Sequence, residues 1–171
     1  GSSDYCKTGY LMRKHNNINN TSNPFVANKT TWNYFRVGEL YLILAEAENE
    51  YSGPTSEVYE AIDEIRERAG LEGLEEGLDQ GQMRDRIKHE RRIELAFENH
   101  RFFDVRRWKD AEKTQSGKVH CLNIYEGNAL NDDKFYERVE CEERIFQSPQ
   151  HYFFPIPQTE IDKNKDKLVQ N

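Results

Sequence analysis

Between Tyr34 and Tyr51 the chain carries apolar residues on nearly every side of a helix, and this pattern most limits what it can fold into. Val37, Leu40, Tyr41 and Leu44 share one face, while Leu42, Ile43, Ala45 and Ala47 spread over much of the rest. Only the strip Glu39, Glu46 and Glu50 is clearly solvated. Such a helix must be covered on more than one side, so it suits the inside of a layered helical array better than its edge. Gly53 and Pro54 end it. A second helix is expected after them, with Ser56 as N-cap, Val58, Ile62, Ile65 and Ala69 as its stripe and Gly70 as the closing residue. The two helices make an antiparallel hairpin.

Tyr34, Val37, Gly38 and Tyr41 match the spacing W-x₂-L-G-x₂-Y that opens a tetratricopeptide repeat, where the small residue lets the partner helix approach. The match occurs once, and an array needs at least three units. Either the pattern is chance or the partner units lie outside the chain, and the second reading is preferred. GLEGLEEGLDQG is a loop, after which a third helix should run from near Gln80 to about Glu98 and a shorter one from Phe102 to Ala111. The expected organisation is an extended segment and loop over 1–33, a helical core over 34–112, an irregular excursion over 113–143 and a C-terminal wrap over 144–171. In that wrap, Pro155 and Pro157 hold the backbone extended before a helical turn near Thr159 to Lys163. The fold class is therefore mainly α, a tetratricopeptide-like hairpin scaffold with long irregular loops and short extended segments.

Acidic residues outnumber basic ones by 31 to 24, and the resulting net charge of −7 disfavours nucleic acid and anionic lipid as partners. The longest apolar run, Leu40 to Ala45, is far short of the roughly 20 residues that span a bilayer, and no signal segment is evident. The chain opens in polar sequence without Met, so its natural N-terminus is expected to lie elsewhere. Cys6, Cys121 and Cys141 are an odd number at wide spacing without CxxC, which allows one bridge at most and indicates neither a disulfide framework nor a zinc site. The sequons at Asn19, Asn20 and Asn28 fall in an Asn-rich loop, where chance explains them. His89-Glu90 lacks the second histidine of HExxH, and Gly70, Gly73 and Gly77 fit no phosphate-binding pattern. No metal, no cofactor and no nucleophilic catalysis is supported.

Met83, Ile87, Glu90, Glu94 and Phe97 fall on one side of the third helix, which sets two carboxylates in an apolar stripe. A buried carboxylate must be paired, and arginines stand nearby at Arg66, Arg91, Arg92, Arg101, Arg106 and Arg107. A structural ion network of Glu90 and Glu94 with Arg91, Arg101 and Arg107 is the preferred reading. The competing one makes the two glutamates the acid and base of a glycoside hydrolase. It is disfavoured because surrounding arginines keep carboxylates ionised, whereas a general acid needs a raised pKa. The same arginines alternate with Glu90, Glu94, Glu98 and Asp104, so they form no basic stripe for RNA. Phe97, Phe102 and Phe103 are expected in the core. Trp32, Tyr125 and Tyr136 lie in polar, loop-like contexts where an exposed ring can stack on a sugar face, and they are the candidate carbohydrate-binding residues.

The blocks YFRVGELYLILAEAENEY, IDEIRERAGL, IKHERRIELAFENHRFFDVRRW and HYFFPIPQTEIDKNKDKLVQN, in this order and spacing, resemble the C-terminal portion of the SusD/RagB family of outer-membrane nutrient-binding lipoproteins. The resemblance is close over 34–112 and 144–171. It implies a non-catalytic protein, exposed on the cell surface through an N-terminal lipid, that binds glycans or other nutrients for delivery to a SusC-like TonB-dependent transporter. It also implies tetratricopeptide-like helix pairs and a much longer protein whose lipidated cysteine lies outside this chain, so Cys6 is not that anchor. The family's recognisable blocks are scaffold and its ligand contacts come from divergent loops, so no binding residue is carried over by motif. A helical-repeat adaptor that binds protein in its hairpin groove is the alternative.

Overall fold

The computed structural model describes residue 6 and residues 8–16, 32–123, 134, 137–164 and 167–170. In chain order the elements are α1 (Val37–Ser52), α2 (Ser56–Arg68), α3 (Gln80–Glu94), α4 (His100–Arg107), α5 (Ala111–Thr114), β1 (Gly117–Leu122), β2 (Arg138–Arg144), a 3-10 turn at Gln150–Tyr152 and α6 (Gln158–Lys163). They fall into two compact units, Lys14–Phe103 and the combination of Gly1–Arg13 with Asp104–Asn171.

The unit Lys14–Phe103 is built on α1, α2 and α3. Gly53, at φ 86°, takes a left-handed conformation that a side chain resists, and its N–H bonds Asn49 O at 3.0 Å, closing α1. The N-cap of α2 is Thr55, one residue before the expected Ser56. Gly70, at φ 78°, lets Leu71 N reach back to Arg66 O at 2.9 Å and so ends the turn after α2. A capping box opens α3: Asp79 accepts from Gln82 N at 2.8 Å, and Gln82 accepts from Asp79 N at 2.9 Å.

The apolar core joins Leu42 and Ala45 of α1, Val58, Ala61, Ile62 and Ile65 of α2, Met83 and Ile87 of α3, and Leu95. α1 and α2 thus form the tetratricopeptide-like hairpin, and α3 packs against it. Asn49, fully buried, donates to Gln80 O at 3.1 Å, and Gln80 Nε2 donates to Asn49 O at 2.7 Å, which locks the end of α1 to the start of α3.

Several expectations are corrected here. Ala69 is exposed because α2 stops at Arg68. α3 ends at Glu94 instead of Glu98, since Phe97 (φ 64°) and Asn99 (φ 66°) are left-handed and cannot continue a helix. That break turns Phe97 away from the stripe of Met83 and Ile87: it is 60% exposed, and Leu95 occupies the core instead. Phe102 and Phe103 also remain exposed, packing edge to face at 5.2 Å. The helix expected over Phe102 to Ala111 is two helices, α4 and α5, separated at Lys109 (φ 55°).

In the second unit, β1 and β2 pair antiparallel, Gly117 opposite Arg144 and Cys121 opposite Val139, with a bulge between Val119 and His120. A disulfide joins Cys121 and Cys141, and Cys6 is a free thiol. The excursion over 113–143 is therefore not irregular at its two ends. Its strands escape the eye because β2 is exposed almost throughout, so no alternation of apolar and polar residues marks it. A two-stranded ribbon is marginal alone, and the covalent bridge supplies what burial does not. No helix among the described residues is long and apolar enough to cross a membrane.

Candidate functional site

The charged residues that meet on the unit Lys14–Phe103 begin with Arg36, just before α1. Its Nε donates to Glu98 Oε2 at 2.7 Å, its Nη2 donates to Glu94 O at 2.6 Å, and its Nη1 pairs with Glu94 Oε1. Arg68 Nη2 reaches the same Glu94 oxygen at 2.5 Å, and Lys14 donates to Glu94 O at 2.8 Å while pairing with Glu98. Glu90 is bound separately, by Arg66 Nη1 at 2.5 Å. Gly38 is where the repeat spacing wants a small residue, and the reason is specific: a Cβ there would stand 2.8 Å from Arg36 Nη1 and 3.2 Å from Glu94 Oε1. The position keeps room for the ion pair.

Arg36, Arg66 and Arg68 are thus among the ion-pair partners of Glu90 and Glu94. Arg91 is buried on α3 and Arg101 half-buried on α4, but the bonds to these two glutamates described above come from Arg36, Arg66 and Arg68. Arg107 pairs with Asp104 at 3.0 Å and lies over the Trp108 ring at 4.6 Å. Sequence reasoning missed Lys14, Arg36, Arg68 and Glu98. One signal was available, the four-residue spacing of Glu90, Glu94 and Glu98.

Burial pushes the Glu98 carboxyl up, but hydrogen bonds and charge from Arg36 and Lys14 outweigh it and hold the group below the usual carboxylate range. Burial likewise lowers Arg36, and Glu98 and Glu94 more than offset it, leaving the guanidinium above its ordinary value. Because the Glu98 pKa is depressed on folding, its stabilising effect is present above the usual value of about 4.3 and lost as pH falls through the lower folded value. Melting temperature should therefore fall with pH below about 4.3, and Glu98→Gln should flatten that fall. Calorimetry from pH 7 to pH 3 checks this, and an unchanged slope in the variant would remove Glu98 from the account.

Beside this network is a cleft of about 440 Å³, lined by its members together with His15, Asn33 and Ile93. Trp32 stands at its margin, stacked on His15 with ring centroids 4.6 Å apart and 28° between planes, yet 47% exposed. Of the three candidate sugar-stacking residues, Trp32 alone is placed next to a cleft, and Tyr125 and Tyr136 lie outside the described residues. The cleft offers one aromatic platform, the Asn33 amide and several fixed charges, a set suited to hydroxyl-rich ligands. Glu90 and Glu94 are each engaged by arginine, so both carboxylates serve as partners in ion pairs of the cleft wall. Among the described residues, no group of three or more His, Cys, Asp and Glu is placed to hold a metal ion.

The SusD family model matches residues 2–171. The chain is 31% identical over 143 residues to the SusD-like protein P2 of Formosa agariphila, covering 80% of this chain and 24% of that protein. Among solved structures it is similar to a SusD homologue from Bacteroides thetaiotaomicron VPI-5482, with 30% identity, a TM-score of 0.56, and coverage of 88% of this chain and 29% of that one. It is also similar to a SusD-like carbohydrate-binding protein from Bacteroides fragilis NCTC 9343, with 27% identity, a TM-score of 0.56, and coverage of 73% and 26%. The chain spans about a quarter of the length of these relatives. With a family match from end to end, and the helical hairpin that the family's solved structures share, this chain belongs to the SusD family.

Proposed function

We propose that this chain belongs to a non-catalytic, cell-surface binding protein that captures glycans and hands them to a SusC-like TonB-dependent transporter of the outer membrane, held there by an N-terminal lipid on the longer protein. The observation that carries the reading is the family match over residues 2–171, joined to the likeness to a SusD-like protein described as carbohydrate binding. Trp32 supports it chemically: a half-exposed indole presents an apolar face to sugar C–H groups beside a polar cleft. Tyr125 and Tyr136 are proposed as further stacking residues on their sequence setting. In this reading the Arg36 network is scaffold that fixes the cleft wall, and function sits in the loops around it.

The test is titration of the full-length protein with a panel of soluble polysaccharides by affinity electrophoresis and calorimetry, with Trp32, Tyr125 and Tyr136 each replaced by Ala. At least one polysaccharide should bind, and Trp32→Ala should weaken it about tenfold, the loss of roughly 1–1.5 kcal/mol of ring stacking. Binding that none of the three substitutions weakens would overturn the site. Turnover of the bound glycan would overturn the non-catalytic reading, and failure of a SusC-like transporter to co-purify with the protein would remove the delivery step.

A further inference from the structure

The unit that includes Asp104–Asn171 holds a cavity of about 510 Å³, separate from the cleft beside Arg36. Arg106, Lys109 and Glu112 line it from the end of α4 and the start of α5, and Ser148, Tyr152 and Phe153 from the segment around the 3-10 turn. A Schellman motif closes α4: Asp110 N donates to Val105 O at 3.2 Å, and Lys109 N donates to Arg106 O at 3.1 Å. The residue that such a turn holds left-handed is usually glycine or asparagine, but here it is Lys109, at φ 55°. Lysine is strained in that conformation. Arg106 and Arg107 already set cations in the last turn of α4, so the helix dipole does not require it either. What Lys109 gains is a place in the cavity wall, where no carboxylate of the described residues pairs with its ammonium.

We propose that this cavity binds an acidic sugar residue, one bearing a carboxylate or a sulfate, with Lys109 as the group that recognises the anion. The inference rests on the glycan capture proposed above and adds to it a second site and the charge of its ligand. The chain carries a net charge of −7, yet the cavity sets Arg106 and Lys109 against Glu112, so locally it attracts an anion. Arg106 is fixed in advance: its Nη2 donates to His151 O at 3.0 Å, and its guanidinium stands 5.7 Å from the centre of the Phe146 ring. Its charge therefore costs little to order on binding. Phe153, 63% exposed, offers a ring face to sugar C–H groups. No cation of the described residues engages Glu112, which leaves its carboxylate to accept from sugar hydroxyls beside the Ser148 hydroxyl. The volume lies within the roughly 300–1,000 Å³ of small-ligand sites.

Calorimetric titration of the full-length protein with an oligogalacturonate, a sulfated galactan oligosaccharide and a neutral galactan oligosaccharide tests this. At least one of the two acidic probes should bind, and more tightly than the neutral one. Lys109→Gly should weaken that binding roughly tenfold, the effect of losing one hydrogen bond to a charged group. The same variant should melt no lower than the wild type, because glycine relieves the left-handed turn. Lys113→Ala removes an equal charge from α5 outside the cavity lining and should leave binding within about twofold. Equal losses in the two variants would reduce the effect to net charge and overturn the site. Binding unchanged by Lys109→Gly, a lowered melting temperature in that variant, or no binding of either acidic probe also overturns it. Neutral polysaccharide captured through Trp32, with neither acidic probe held, would keep the proposed function and sink this inference alone. A protein that binds no glycan at all would sink both.

Discussion

Replacing Arg36 by Met is expected to lower the unfolding free energy by about 3 kcal/mol, a fall of roughly 6–12 °C in melting temperature for a chain of this size. The guanidinium holds Glu98, the Glu94 side chain and the Glu94 backbone carbonyl together. Those carboxylates are only 12% and 7% exposed, so neither recovers full hydration when Arg36 is removed. Breaking a buried pair costs more than the pair is worth, because one charge is left behind. Arg68 and Lys14 remain on Glu94 and Glu98, which places the expected loss at the low end of the range for buried pairs. Arg36→Met with Glu98→Gln should recover part of the loss, and the coupling energy from that cycle measures the pair. Arg86→Ala is the contrast, since its pair with Glu75 leaves both side chains more than half exposed and should contribute under about 1 kcal/mol. Urea denaturation of the wild type, the three variants of the cycle and Arg86→Ala decides: equal effects of Arg36→Met and Arg86→Ala would mean that the network holds nothing in place.

The second large effect is expected at Ile62. It is fully buried where α2 meets α1 and α3, and Ile62→Ala removes three carbon atoms from a packed core. The cost should be about 3 kcal/mol, with Ile62→Val near 1 kcal/mol. Leu44→Ala, on the open face of α1, should cost under about 0.5 kcal/mol in the same chain because little is buried there. The pair separates two leucine-like positions that hydropathy ranks alike. A cost at Leu44 comparable to that at Ile62 would show the outer face of α1 to be covered within residues 1–171.

Much of the helical unit is legible in local pattern. Val58, Ile62 and Ile65 recur at helical spacing and are buried, as are Met83, Ile87 and Glu90, and the glycines at 53 and 70 stop their helices where a left-handed residue is needed. The pattern fails where helix geometry itself fails. Extending the α3 wheel past Glu94 puts Phe97 in the core, but the wheel has no meaning once the backbone turns left-handed. The β1–β2 ribbon escapes the sequence for a related reason: β2 is exposed almost throughout, so its side chains need no alternation. The polar surroundings of Trp32 are legible in the sequence, whereas its stacking partner His15, 17 positions earlier, carries no sequence signal.

By itself the sequence determined the helical hairpin, the apolar stripes, the placement of Glu90 and Glu94 among them and the family, because each depends on residue types at fixed short spacing or in a long ordered series. Tertiary structure decided which arginines neutralise those glutamates, which of three cysteines pair and which face of α1 stays open. Arg36 meets Glu94 and Glu98 across 58 and 62 residues of sequence, and Cys121 meets Cys141 across 20. Periodicity is a property of one helix, whereas ion pairing, bridging and burial require two elements to come within a few ångströms. Only the packed chain specifies that proximity.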